Sequence, residues 1–430
     1  MTQSVKTLFL FAFVAVLIIG TGMVQSWNSA LLILNMGLVS AVMALGVNLQ
    51  WGIAGLFNVG VMGFVALGGL GVVLTSMPPV QEAWSAGGLR AISALVIIAA
   101  TVAASAYIWR NFRKAWLVAV VLIGGLILYR MVRDPGVAAI EAVNPAVSGY
   151  LGGLGLPVLF AWPIGGLLAA GGAWIIGKTA LGLRSDYLAI ATLGISEIII
   201  AIMKNEDWLA RGVKNVIGLP RPVAREIDLQ NDPGFVEAAA GYGLDATTAS
   251  TLYVKLSYSL LFAIVLVIVL VLAQLALKSP WGRMMRAIRD NEVSARAMGK
   301  DVTFRHLQVF ILGSAICGVA GAMMTTLDGQ LTPSSYQPLR YTFLIWVMVI
   351  VGGSGNNMGA ILGGMIIWFL WVQVEPLGQG LMNILTAGMA DGSALKEHLL
   401  DSVQHMRLLT MGLILLIVLR FSPRGLLPEK

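Results

Sequence analysis

The chain has 430 residues, 58% of them hydrophobic and 11% charged, where a soluble domain carries roughly a quarter. So few charges cannot clothe a water-soluble protein of this length, and repeated long apolar runs make lipid the solvent. The formal charge of +7 is then a topology signal, set by where lysine and arginine lie, and not a nucleic-acid footprint.

Apolar runs fall at about 8 to 24, 30 to 50, 52 to 74, 91 to 108, 115 to 132, 158 to 178, 187 to 203, 254 to 277, 307 to 327, 339 to 354, 357 to 374 and 407 to 421. Several of these twelve runs are short or broken by glycine. They predict an all-α polytopic membrane protein with about 10 to 12 transmembrane helices, some broken or re-entrant. The first run follows Lys6 and, at 17 residues, is too long for the apolar region of a signal peptide; Val24-Gln25-Ser26 is also a poor cleavage signal. It reads as a retained helix.

The glycine-broken stretch Gly52 to Gly71 has a counterpart in the other half, Gly352 to Gly364. Paired broken helices point to a substrate pathway. The same glycines equally permit close helix packing, as Gly359 and Gly363 would in a GxxxG pair. Residues 172 to 179, Gly-Ala-Trp-Ile-Ile-Gly-Lys-Thr, match the phosphate-binding GxxxxGK[ST] pattern, but they end a membrane span and lack the solvated strand-to-helix turn that a P-loop needs. No nucleotide site is read there. Glu197 is the acid lying deep within an apolar run; such a carboxylate is either functional or held by a neighbouring helix.

Basic residues in short connections set orientation. The connection 109 to 114 carries Arg110, Arg113 and Lys114 without an acid, and 278 to 305 carries seven basic residues against Asp290, Glu292 and Asp301. Both read as cytoplasmic. Segment 204 to 253, with five basic and seven acidic residues and rich in Pro, Gly and Asp, reads as an external loop with room for a short helix. An even number of crossings then places both termini in the cytoplasm, in agreement with Arg420, Arg424 and Lys430. His306, His398 and His405 lack zinc spacing and read as solvated; Cys317 is a lone cysteine in an apolar run. No catalytic, cofactor or metal site is expected.

Segment 278 to 305 is the most informative. Trp281, Met284, Met285 and Ile288 fall at helical spacing with Arg283, Arg286 and Arg289 on the other faces. A second helix, Glu292 to Met298, ends where Gly299 can adopt the left-handed conformation. Such a pair is either a basic hairpin resting on anionic lipid or a docking surface for a cytoplasmic partner.

At this segment the chain resembles the LivM-type permease subunits of branched-chain amino-acid ABC importers. The matching stretches run in order: Leu45-Gly46-Val47-Asn48, then Gly52-Ile53-Ala54-Gly55-Leu56-Phe57-Asn58-Val59-Gly60, then Leu183 to Gly194 with Glu197. Trp281-Gly282-Arg283, Arg286 to Glu292, Ala297-Met298-Gly299, Ala320-Gly321-Ala322, Gly352-Gly353-Ser354-Gly355 and Pro423-Arg424-Gly425-Leu426-Leu427-Pro428 complete them. The resemblance implies a multi-pass subunit of the bacterial cytoplasmic (inner) membrane that imports branched-chain amino acids or a related small polar solute by alternating access. It is not itself an enzyme. Its implied partners are a second, LivH-like permease, two cytoplasmic ABC ATPases, a periplasmic substrate-binding protein and the lipid bilayer. It assigns ATPase coupling to Arg283, Arg286, Asp290, Asn291, Glu292, Ala297 and Gly299, and the translocation pathway to Gly55, Asn58, Gly60, Tyr187, Thr192 and Glu197. The family's Thr-Gly-Gly-x-Asn-Gly turn is replaced here by Ala210 to Gly218, of which Gly212, Asn215 and Gly218 keep the pattern. Residues 75 to 157 look like an insertion, which divides the chain into 1 to 74, 75 to 157 and a permease core, 158 to 430. The alternative is a secondary transporter driven by an ion gradient, against which the scarcity of intramembrane acids argues.

Overall fold

The computed structural model describes residues 3–145, 147–389 and 393–429; Lys430 of the basic tail lies outside them. The chain begins with α1 (Gln3–Val24) and α2 (Trp27–Val47), and the Ser26 hydroxyl opens α2 by accepting the Ser29 N–H at 3.1 Å. α2 continues into a π-helical turn, Asn48–Ile53, and residues 54 to 60 then leave helical geometry before α3 (Val61–Ser76). After α4 (Leu89–Phe112) and α5 (Ala115–Ala142) come α6 (Val158–Ala180), α7 (Ser185–Asn205) and α8 (Ala246–Lys278). The short α9 (Pro280–Asp290) and α10 (Glu292–Ala297) lead to α11 (Val302–Asp328), α12 (Pro338–Gly352), α13 (Asn357–Thr386), α14 (Ala394–Asp401) and α15 (Met406–Phe421).

Among the described residues, nine helices are long and apolar enough to cross a membrane, and α14 with α15, bent by 62°, brings the number to ten. The runs at 52 to 74 and 339 to 354 hold the shorter apolar helices that this count leaves out. They resolve into helices of 16 and 15 residues, roughly 24 and 23 Å long, against a hydrocarbon core of about 30 Å. These are the segments that the glycines break.

The buried centre is formed by α2, α3, α11, α12 and α13, with α6 alongside. Small residues let backbones touch there. A Cβ on Gly68 of α3 would lie 1.9 Å from the Gly318 carbonyl oxygen of α11, and one on Gly363 of α13 would lie 1.9 Å from that of Met348 in α12. Close packing is therefore one real use of the Gly359/Gly363 pair. The α4–α5 hairpin stands outside this centre: no residue in the most apolar 18-residue stretch of α5 is buried. It is tied at one end by a satellite cluster that includes Ala91, Ile140 and Trp208, and by the Arg133–Glu206 ion pair.

Segment 204 to 253 is more ordered than its Pro, Gly and Asp content implied. Asp245 is an N-cap, accepting the Thr248 N–H at 2.9 Å, so its last eight residues belong to α8. Val216–Ile217 (β1) pairs antiparallel with Gln330–Leu331 (β2) and ties the segment to the end of α11. His306, expected to be solvated, is instead half-buried in α11, with Nε2 buried and unpaired. His398 is exposed but lies in α14.

Candidate functional site

A backbone that leaves helical geometry inside a bilayer must find partners for its orphaned N–H and C=O groups. Here three buried amide side chains supply much of that pairing: Asn48, Gln50 and Asn58, each at most 1% exposed. Gln50 donates to the Phe310 carbonyl and the Ser314 hydroxyl, both at 3.0 Å, and accepts from Asn58 Nδ2 at 2.9 Å. Asn58 Oδ1 accepts the Gly60 N–H at 2.9 Å, and its carbonyl accepts Trp346 Nε1 at 3.1 Å. The Thr192 hydroxyl, from α7, accepts the Val59 N–H at 3.1 Å.

The two broken segments meet at Asn48. Its Nδ2 donates to Asn357 Oδ1 at 3.0 Å, and its Oδ1 accepts the Gly355 N–H at 2.8 Å. The paired glycine-broken stretches thus form one junction between the halves of the chain. α7 packs on it so tightly that a Cβ on Gly60 would lie 2.2 Å from the Thr192 carbonyl oxygen.

The junction brings together four of the six residues expected along the pathway: Gly55, Asn58, Gly60 and Thr192. Asn58 and Thr192 are buried and hydrogen-bonded, and they hold the break in shape. Tyr187 and Glu197 lie elsewhere, on the exposed face of α7. Glu197 borders a surface cleft of about 790 Å³ together with Lys204, Phe343, Arg340, His405 and Arg407. Among the described residues it makes no ion pair, whereas Arg407 pairs with Glu375.

The segment 278 to 305 folds into the two expected short helices. Met285, Ile288 and Ala295 are buried against the bundle, Trp281 Nε1 donates to Gln308 at 3.2 Å, and Gly299 takes a φ of 77°. The apolar face is therefore spent on the protein and is not free to lie in lipid. The opposite face exposes Arg283, Asp290, Asn291, Glu292, Ala297 and Gly299, interleaved with Val293 and Met298. Arg286 is set apart from this face: it is half-buried and borders a cleft with Asn356 and Glu429.

Arg289, absent from the expected coupling set, joins the two regions. Its Nη1 donates to the Gly52 carbonyl and pairs with Glu429 at 2.8 Å, while Nε reaches Asp290 at 3.2 Å. Its side chain also runs past Gly55, whose backbone is left-handed at φ 71°. The tail that carries Glu429 is itself fixed to the second break, through Leu426 N–H to Val351 O and Leu427 N–H to Gly352 O, both 2.9 Å. One guanidinium thus contacts the short helix pair, the first break and the strap over the second. The sequence signal was the i, i+3 series Arg283, Arg286, Arg289; the distant carbonyl it serves left no local trace.

The sequence model of a family described as "Branched-chain amino acid transport system / permease component" matches residues 29–419. The chain belongs to this family. Over 297 residues this permease is 25% identical to LivM of Escherichia coli K12, covering 68% of the chain and 62% of that protein. It therefore spans less than two thirds of the length of that relative. A probable LivM of Methanocaldococcus jannaschii is 26% identical over 294 residues, 67% of the chain and 72% of the relative. A shorter stretch of 131 residues is 32% identical to the probable LivH of the same organism, covering 28% of the chain and 41% of that protein. No solved structure matches.

Proposed function

We propose that this permease is one of two transmembrane subunits of a binding-protein-dependent ABC importer carrying branched-chain amino acids, or a related small polar solute, into the cytoplasm. The observation that carries the reading is the path from the α9–α10 pair through Arg289 to the Gly52 carbonyl. The exposed face of the pair has the mixed character of a protein-docking surface, with apolar Val293 and Met298 among charges. Its neighbour across that surface is one of the two cytoplasmic ATPases of the complex. A displacement of α9 relative to the bundle is felt directly at the first break, because Arg289 is bonded to it.

In this arrangement both termini and α9–α10 are cytoplasmic, and 206 to 245 faces outward, where a loaded binding protein docks. The route runs between this subunit and a LivH-like partner, on the α7 face that exposes Tyr187 and Glu197. Residues 75 to 157 are an addition to the core, which fits the peripheral position of α4–α5. A ligand-driven switch needs contacts that differ between its two states; the Arg289 bonds are the contacts placed to differ.

The test is reconstitution in proteoliposomes with two ATPases, a second permease and a binding protein of the same system. ATP-dependent uptake of leucine, isoleucine or valine is expected. Uptake by this chain alone, driven by an imposed ion gradient without any ATPase, would overturn the proposal and favour a secondary transporter.

A further inference from the structure

The cleft of about 730 Å³ that Arg286 borders is built from the ends of several helices. Ser4 and Thr7 line it from the first turns of α1, Gln274 and Lys278 from the last turns of α8, and Asn356 from the start of α13. Its one acid, Glu429, is already paired with Arg289 at 2.8 Å. Among the described residues, neither Lys278 Nζ nor the Arg286 guanidinium is engaged by an acid. The cleft therefore keeps two positive charges uncompensated.

Its depth and its surroundings point to lipid. α8 has no charged residue from Leu256 to Leu277 before Lys278, and the apolar run of α1 begins just after Lys6. Both spans thus change from apolar to charged at the cleft, which is the level of the headgroups. Toward the bilayer centre the same helix faces continue as exposed apolar surface. Leu8 stands one turn on from Ser4, and Val271 and Val267 stand three and seven residues before Gln274, all three exposed. α1 and α8 both pack on α2 and α13. A molecule seated here meets cations and hydroxyls at one end and uncovered hydrocarbon at the other.

We propose that the cleft holds the headgroup of one anionic phospholipid, its phosphate engaged by Lys278 and Arg286 and its acyl chains lying on α1 and α8. Charge-assisted bonds from ammonium and guanidinium groups to phosphate are the strong ones, and basic pockets between membrane helices select acidic headgroups. A zwitterionic headgroup fits less well, because its own ammonium would share the cleft with two cations. A soluble phosphate lacks the apolar half of the contact. Gly355 and Asn357 border the cleft and are also the partners of Asn48, so the lipid braces α9 against the meeting point of the two breaks. The inference depends neither on the transported solute nor on the ATPases.

The test is native mass spectrometry and thermal unfolding of the full-length chain, purified in detergent and offered phosphatidylglycerol, phosphatidylcholine or inorganic phosphate. One phosphatidylglycerol is expected to be retained in preference to phosphatidylcholine, and to raise the unfolding midpoint, since a ligand of the folded state stabilises it. Lys278→Ala combined with Arg286→Ala should weaken phosphatidylglycerol at least tenfold, and Arg286→Lys, which keeps the charge, should lose less. Lys278→Ala alone, at an exposed position, should cost severalfold with the fold intact. Arg110→Ala combined with Lys114→Ala removes the same charge from exposed positions at the α4–α5 end and should leave the retained lipid in place. Equal retention of the two lipids, undiminished binding when Lys278 and Arg286 are both replaced, or an equal loss in the α4–α5 variant overturns the inference. Stabilisation by inorganic phosphate as large as by phosphatidylglycerol would make this a soluble-anion site and overturn it as well.

Discussion

Arg289 and Glu429 form an ion pair at 2.8 Å, the two side chains being 24% and 30% exposed, and the same guanidinium holds the Gly52 carbonyl. Partly exposed pairs contribute little to stability on their own, so this arginine matters chiefly for what it connects. Arg289→Ala is expected to lower ATP-driven uptake at least tenfold while the chain still inserts and assembles. Glu429→Gln, which keeps the bond to Gly52, should cost less than Arg289→Ala. Uptake and ATPase rates measured on the same reconstituted samples decide it; equal losses in both variants would show that the Gly52 bond carries nothing.

Asn48→Ala removes both partners of the meeting point between the breaks and leaves the Gly355 N–H and the Asn357 amide unpaired. A buried group so stranded costs about 1–3 kcal/mol. Thermal unfolding in detergent should fall accordingly, and an unchanged midpoint would mean that water or rearrangement replaces the junction.

Gly60→Ala forces the α3 end away from α7, because its Cβ has 2.2 Å to the Thr192 carbonyl oxygen. Gly171→Ala in α6 meets nothing within 4 Å and serves as the control. The first variant is expected to express poorly or melt early, and the second to behave as wild type. Equal behaviour of the two would mean that α3 and α7 separate without cost.

Glu197→Gln is expected to leave thermal stability unchanged, since the carboxylate is exposed and makes no ion pair among the described residues, yet to slow uptake severalfold. Full uptake would remove Glu197 from the route and leave it as a solvated group beside its cationic neighbours.

The parts of the site legible in the sequence were those written locally. Gly52, Gly55, Asn58 and Gly60 crowd so many helix-breaking positions into nine residues that a break was readable, and the spacing of Trp281, Met285 and Ile288 announced a one-faced helix. What the glycines could not say is which backbone would lie opposite: Gly60 meets α7, while Gly52 meets Gly355. Arg289 to Gly52 spans 237 residues, and no pattern in a single sequence records such a pairing. Segment 204 to 253 was under-read because aspartates that cap helices resemble aspartates that fill loops.

The Asn48 contacts with Gly355 and Asn357 have a consequence for how the protein is made. Their partners emerge 307 and 309 residues later. At synthesis rates of about 5–20 residues per second, Asn48 waits roughly 15–60 s for them. Through that interval the first break resides in the membrane with polar groups whose final partners do not yet exist. The early helices must therefore be tolerated in an unfinished form, sheltered by the insertion machinery or by water. Folding of the centre is then bound to completion of the α12–α13 turn and the strap that follows α15, so a chain arrested before them would carry most of its apolar mass and lack a finished centre.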